Sequence, residues 1–496
     1  MTTVPADGRT GPDDGVSLDE ARGRWVLFAA VLGSSLAMLD ATVVNIALPE
    51  VGADLGAEFS GLQWTVNGYT LTLAALILLG GSLGDRFGRR RVFVLGTVWF
   101  AVASLLCGLA PNVEALVAAR MLQGVGGALL TPGSLALIQA SFRPEDRARA
   151  IGAWSGLGGV AAALGPFLGG TLVEISWRLI FLVNLPFAVL VVVVARRHVP
   201  ESSDAGMDPR IDVAGAGLGA VGLGGLTYGL IRVGEGLDPV GGVALALGVI
   251  GLVAFVAVER RSSHPMLPTE VFASRQFTAA NLVTFLVYAA LGGVFFLLVL
   301  QLQIVSGFTP LAAGVSLLPV TAAMLVLSGR AGALTERIGP RLPMTAGPLV
   351  CAVGLLLMLR IGAGASYVVD VLPAVLLFGL GLSLTVAPLT ATVLAAAPTR
   401  HAGVASGVNN AVARAAGLVA VAGLPVLAGI SGDDFRDPTA FGQGFQVAML
   451  ASALLLVLGG VLAALTISNA QVRTAVRPAR TTHCSVDGPP LHASRE

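Results

Sequence analysis

Three charged side chains stand inside long apolar stretches of this 496-residue chain: Asp40, Arg120 and Arg414. An ionisable group surrounded by hydrocarbon is costly, and a chain that keeps one marks a proton, ion or substrate site by default. Asp40 is the sole acid in any such stretch, and none of the five histidines (His198, His264, His401, His483, His492) lies in one. A proton carrier must take up and release its proton within the working pH range. Burial favours a neutral carboxylic acid and a nearby guanidinium favours the carboxylate, so conformation can tip the balance. At about 1.5 Å per residue, Asp40 lies roughly 22 Å along its helix from Trp25, about 8 Å short of the far edge of the hydrocarbon layer. Arg120 lies about 10 Å from that same edge. The depths match, so the two are expected to meet, either as a proton-coupling site or as a static ion pair. Arg414 lies near mid-depth with no acid left for it. It either hydrogen-bonds backbone carbonyls or points into a cavity beside Asn409 and Asn410, one turn earlier.

The motifs of other chemistries are missing. No HExxH pair, GxxxxGK[ST] loop or GxSxG elbow occurs, which disfavours a metalloprotease, an ATP-driven pump and a hydrolase. Gly215-Ala216-Gly217-Leu218-Gly219 lacks the last glycine of a dinucleotide loop and any preceding strand; small residues in an apolar helix are better read as close packing. Cys107, Cys351 and Cys484 lie far apart, two as small buried hydrophobes and one as a free tail thiol. No cofactor and no metal are expected. A net charge of +1 with no long basic run leaves no footprint for nucleic acid. In Gly165-Pro166-Phe167-Leu168-Gly169-Gly170, proline bends a helix and the glycines allow tight packing at the bend.

The elements that must carry these residues follow from composition. With 55% hydrophobic and 12% charged residues, there is too little charge to coat several soluble domains. Fourteen apolar runs are long enough to cross a bilayer, the first near 25–47, the ninth near 278–304 and the last near 444–467. Arginine crowds the loops on the side of the N-terminus, whereas the opposite loops hold only Arg178, Arg232, Arg360 and Arg436. That asymmetry predicts cytoplasmic termini. The polar, acidic first 24 residues lack the basic, apolar and small-residue regions of a signal, so no cleaved signal is expected. Asp85-Arg86-Phe87-Gly88-Arg89-Arg90 after the second span has a counterpart after the tenth, Glu336-Arg337-Ile338-Gly339-Pro340-Arg341. The repeat predicts an all-α polytopic membrane protein built as two six-helix bundles around a midplane site, with two helices inserted between them. The expected division is a tail at 1–24, bundles at 25–195 and 276–467, the inserted pair and its loops at 196–275, and a tail at 468–496.

The motifs themselves resemble those of the major facilitator superfamily, and specifically its fourteen-helix drug:proton antiporters, from about Trp25 to Leu465. Gly81-Ser82-Leu83-Gly84 through Arg90 is similar to motif A, and Leu39-Asp40-Ala41-Thr42-Val43-Val44-Asn45 through Pro49 to the first-helix motif of the fourteen-helix group. Arg120 through Gly126 resembles motif B, whose arginine is linked to proton coupling. Gly165 through Gly170 resembles motif C of exporters, with Ala161 where glycine is frequent. The resemblance implies alternating access in the plasma membrane, with a small amphipathic compound leaving as protons enter. Uptake of a small metabolite on the same fold is the alternative. It implies gating roles for Gly81, Gly84, Asp85, Arg86, Gly88, Arg89, Arg90, Gly165, Pro166, Gly169 and Gly170, with Asp85 facing the N-terminal end of the third helix. Substrate-facing candidates are Trp64, Asn67, Tyr69, Tyr288, Gln301, Gln303, Asn409, Asn410 and Arg414, Trp64 being the better interfacial anchor. The expected partners are a small-molecule substrate, protons and lipid, around a monomer. With no acid in the membrane portion of the second bundle, the cavity there is expected to favour neutral or weakly acidic compounds over quaternary ammonium dyes.

Overall fold

The computed structural model describes residues 15–203, 212–236, 238–262, 265, 267, 269–397, 402–432 and 434–469. Fourteen helices within them are long and apolar enough to span a membrane. In chain order they are α1 (Ala21–Leu55), α2 (Phe59–Phe87), α3 (Arg89–Gly108), α4 (Val113–Ser141), α5 (Pro144–Ile175), α6 (Leu179–His198) and α7 (Val213–Glu235). They continue as α8 (Pro239–Arg261), α9 (Arg275–Val305), α10 (Pro310–Ile338), α11 (Arg341–Met358), α12 (Tyr367–Ala396), α13 (Gly403–Leu427) and α14 (Pro438–Thr466). The expected tail from residue 470 with Cys484, and the first part of the N-terminal tail, lie outside the described residues.

Local chemistry sets the ends of these helices. Asn112, Asp212, Asp238, Ser274, Thr309 and Asp437 each accept a hydrogen bond from a first-turn amide of the helix that follows. Proline opens α5, α8, α10 and α14, where no amide is needed. The helices outrun the apolar spans read from hydropathy: α1 has 35 residues, about 52 Å. Backbone hydrogen bonding continues into the headgroup region, where hydropathy falls away but the helix has no reason to stop. Where α9 ends and α10 begins, both depart from regular α geometry. Gln301–Val305 forms a π-helical turn, and α10 breaks after Ser316, just before Pro319.

Helices α1–α6 and α9–α14 form the two bundles, and α7 packs against both α2 and α13 while α8 leans on α7. The α7–α8 contact is backbone on backbone: a Cβ on Gly225 would stand 2.9 Å from the Cα of Gly248, and one on Gly251 3.0 Å from that of Gly222. Small residues do serve packing here, as expected, but along Gly222, Gly225 and Gly229. Gly217 faces open space.

The bundles meet along α2–α13, α5–α10 and α1–α9. Hydrogen bonds joining them cluster at the face remote from the arginine-rich loops. Gln63 donates to the Val421 carbonyl (2.7 Å), Gln303 to that of Ile46 (3.0 Å), and the Phe59 amide to that of Gly432 (3.3 Å). The Phe59 ring packs among Phe296, Phe435 and Phe441 at the same seam. At the basic face the ties run within each bundle. Val16 pairs with Phe142, and Ser17 and Leu18 both donate to Asp146, strapping the N-terminal segment to the α4–α5 turn. Gly84, Gly156, Gly332 and Gly403, near the basic ends of α2, α5, α10 and α13, have open space where a side chain would stand. Among the described residues, the hydrogen bonds between bundles gather at one face and none is found at the other.

Candidate functional site: a buried ion pair and a midplane arginine

Inside the first bundle five helices converge on one polar cluster. Asp40 from α1 and Arg120 from α4 are 2% and 1% exposed and form an ion pair through Asp40 Oδ2 and Arg120 Nη1. Arg120 Nε donates to the Thr65 carbonyl of α2 at 3.0 Å, and Nη1 also donates to Gln123 Oε1 at 2.6 Å. The Gln123 amide nitrogen donates to Asp40 Oδ1 and to Ser104 Oγ of α3, both at 2.8 Å. Asn184 of α6 donates to Asp40 Oδ1 at 3.4 Å. The ring centroids of Tyr69 and Phe181 stand 4.4 and 5.8 Å from the guanidinium carbon. A buried pair persists when further hydrogen bonds hold its remaining protons and lone pairs, and here Gln123, Asn184 and the Thr65 carbonyl supply them at Asp40 Oδ1 and at Arg120 Nε and Nη1. Beside Asp40, Arg120 is held by Gln123, the Thr65 carbonyl and the Tyr69 face.

Sequence reasoning paired Asp40 with Arg120 by depth but passed over Gln123, Asn184, Ser104 and Thr65. The available signal was Gln123, three residues after Arg120 and therefore on the same helix face.

A second constellation sits where the bundles meet. Arg414 on α13 is half-buried, makes no hydrogen bond or ion pair among the described residues, and lies within electrostatic reach of the phenols of Tyr69 and Tyr288. Asn67 is fully buried with neither amide atom partnered, and the Tyr69 hydroxyl is likewise unpartnered. Asn67 lies one turn from Gln63, which bonds α13, so both present the same face to the second bundle. The other candidates are placed elsewhere. Gln301 donates to the Ile361 carbonyl within its own bundle, and Gln303 joins the bundles at the closed face. Asn409 bonds Asn281 and Thr284 of α9, tying two helices together. Asn410 is exposed. Trp64 packs on Tyr228 of the inserted α7, ring centroids 6.1 Å apart, which is protein contact and not an interfacial anchor alone.

The bend at Gly165–Gly170 forms two seams. A side chain on Gly165 would meet Thr42 Oγ1 at 2.4 Å and one on Gly169 would meet Val43 at 2.8 Å, both on α1. On the other side a Cβ on Gly170 would stand 2.5 Å from the Leu311 Cα, and one on Gly314 of α10 would stand 2.3 Å from the Pro166 carbonyl oxygen. This stretch therefore seals α5 to its own bundle and to the partner bundle at once.

At the loop after α2 the expectation for Asp85 needs correcting. Its Oδ1 accepts from Arg89 Nε at 2.7 Å, and Arg86 lies over the Phe87 ring. The N-terminal end of α3 is met instead by Glu201, from the segment after α6. Its Oε1 accepts from the Arg90 amide at 3.1 Å, while Arg89 N donates to the Ser202 carbonyl. Asp85 precedes α3 by one turn and its short side chain reaches only the first residue; Glu201 arrives from outside with a clear approach. Gly88 makes that approach possible: its φ is +107° and a Cβ would stand 2.6 Å from Glu201 Oε1. The second bundle repeats the device. Gly339, φ +87°, leaves room for Asn469 after α14, whose Oδ1 accepts from the Arg341 amide at 3.1 Å. A Cβ on Gly81 would meet only Pro132, at an ordinary 3.7 Å.

Two parallel bundles sealed at one face, with unpartnered polar groups where they meet, define a membrane transporter. The chain belongs to the Major Facilitator Superfamily, whose sequence profile matches residues 30–422. It is similar to the Methylenomycin A resistance protein of Bacillus subtilis strain 168, 36% identical over 437 residues, 87% of this chain and 92% of that one. It is also similar to the Puromycin resistance protein pur8 of Streptomyces alboniger, 37% identical across 85% of this chain and 84% of that one. Among solved structures, a bacterial homolog of the human lysosomal transporter Spinster superposes with a TM-score of 0.65 at 17% identity, over 92% of this chain and 98% of the other, a likeness of fold.

Proposed function

We propose that this protein is a proton-coupled antiporter that exports small amphipathic organic compounds across the plasma membrane, with the arginine-rich face and both termini cytoplasmic. Relatives named for resistance to methylenomycin A and puromycin support export. The observation that carries the coupling is the Asp40–Arg120 pair, buried and hydrogen-bonded in a molecule whose bundles are tied together at the face remote from the arginine-rich loops. In this state substrate reaches the bundle interface from the cytoplasm while Asp40 stays charged. After reorientation a proton from outside neutralises Asp40, the pair loosens, and α1 is freed. Six residues along α1 lies the Ile46 carbonyl held by Gln303, and between them Thr42 and Val43 pack on Gly165 and Gly169, so one helix links proton site and seal.

The experiment is Asp40→Asn in everted vesicles with an imposed pH gradient. The variant is expected to fold and insert, since Gln123 and Asn184 can still hydrogen-bond the amide, but to lose accumulation against a gradient. The drive lost is about 2.3 kcal/mol per 100 mV for each proton moved with the membrane potential. Undiminished uphill transport by the Asn variant would sink the coupling role.

A further inference from the structure

We propose that the groove between α3 and α6 at the basic face is a binding site for an anionic phospholipid, held by its phosphate headgroup. The groove encloses about 440 Å³ and is lined by Arg90, Arg91, Val94, Leu95, Val98 and Arg196. On α3 these residues follow the i, i+4, i+8 spacing of one helix face. The arginines therefore crowd the membrane surface while the apolar wall runs about 12 Å down toward the hydrocarbon. Leu95 and Val98 are 57% and 41% exposed, available to an acyl chain.

The charge is unbalanced. Glu201 is the acid that reaches this corner, and its Oε2 stands 3.5 and 3.6 Å from the Nε atoms of Arg90 and Arg91, too far for strong hydrogen bonds. Arg90 spends one further donor on the Val199 carbonyl. The Arg91 side chain is 76% exposed, and Arg196 makes no hydrogen bond or ion pair among the described residues. Three guanidinium groups against one carboxylate leave two positive charges, with donors to spare, above an apolar trough. A phosphodiester with an attached diacyl tail fills both halves of that site; a free phosphate fills one. Basic pockets between membrane helices take anionic headgroups for this reason. Because Arg90 and Arg91 also face Glu201, the bound headgroup sits beside the contact that caps α3.

The test is lipid retention by the purified full-length protein, read by native mass spectrometry and by thermal shift in neutral detergent. Phosphatidylglycerol, phosphatidylethanolamine and millimolar inorganic phosphate are the three probes. Phosphatidylglycerol is expected to be retained and to raise the melting temperature, phosphatidylethanolamine to do so weakly, and phosphate neither to stabilise nor to compete. Arg196→Gln should weaken phosphatidylglycerol binding about five-fold, the factor for one basic residue at an anionic surface. Val98→Trp, which fills the trough without touching the charges, should also reduce retention; Arg261→Gln, on α8 outside the groove, should not. Equal retention of both lipids, displacement by phosphate, or unchanged binding in both groove variants would overturn the assignment.

Discussion

Gln123 is the residue on which the buried cluster turns. It accepts from Arg120, donates to Asp40 and donates to Ser104, so a single neutral amide bonds both ions at once. Gln123→Leu keeps the volume and removes all three bonds, leaving a carboxylate oxygen and a guanidinium N–H short of partners. Each group left unsatisfied costs roughly 1–3 kcal/mol. Gln123→Leu is therefore expected to lower the melting temperature in detergent clearly, and to do so less in an Asp40→Asn background, where one of the charges is already gone. A double-mutant cycle on thermal unfolding measures the difference; additive shifts would mean that Gln123 does not act through Asp40.

At the scale of elements, the loop after α2 is held by a segment that follows α6, and the loop after α10 by a segment that follows α14. In each bundle a glycine with positive φ makes room for the incoming side chain, Gly88 for Glu201 and Gly339 for Asn469. Gly88→Ala is expected to cost about 1–3 kcal/mol for the backbone conformation and to displace Glu201 besides. Gly56→Ala supplies the comparison, because Gly56 has φ +63° but open space where its Cβ would stand. Gly88→Ala should destabilise more than Gly56→Ala in thermal melts and expose the segment around Glu201 to faster amide exchange. Identical behaviour of the two would mean the contact carries no structural weight. The repeat of Asp85–Arg90 at Glu336–Arg341 was legible in the sequence. The two caps were not, because Glu201 and Asn469 lie outside the repeated motif and differ from each other in charge.

For the whole molecule, the distribution of charge across the bundle interface is expected to bias what it carries. Asp40 is neutralised inside the first bundle by Arg120, while Arg414 reaches the interface without a counter-charge among the described residues. A poorly hydrated guanidinium attracts carbonyl, phenolate and carboxylate oxygens and repels cations. We expect resistance to neutral and weakly acidic aromatic compounds, little to quaternary ammonium compounds, and loss of the former in Arg414→Ala. A resistance panel in an efflux-deficient host decides it; strong export of quaternary ammonium compounds with an Arg414→Ala variant indifferent to every compound would refute the charge argument.

The sequence by itself determined the number of spanning helices, the two-bundle repeat and the matching depths that let Asp40 reach Arg120. Apolar length and the position of a charge along a helix are local quantities, and depth follows from counting residues. Tertiary structure alone decided which neutral groups surround that pair, that Gln303 and Asn409 tie helices together, and that α7 lies against α2 and α13. Between helices in lipid there is little hydrophobic gain from one apolar face over another, so neighbours are chosen by close packing and by polar groups finding partners. An amide in an apolar helix carries no mark of whether it will meet a substrate, a backbone carbonyl or a buried ion; that is settled only when the facing helix is in place.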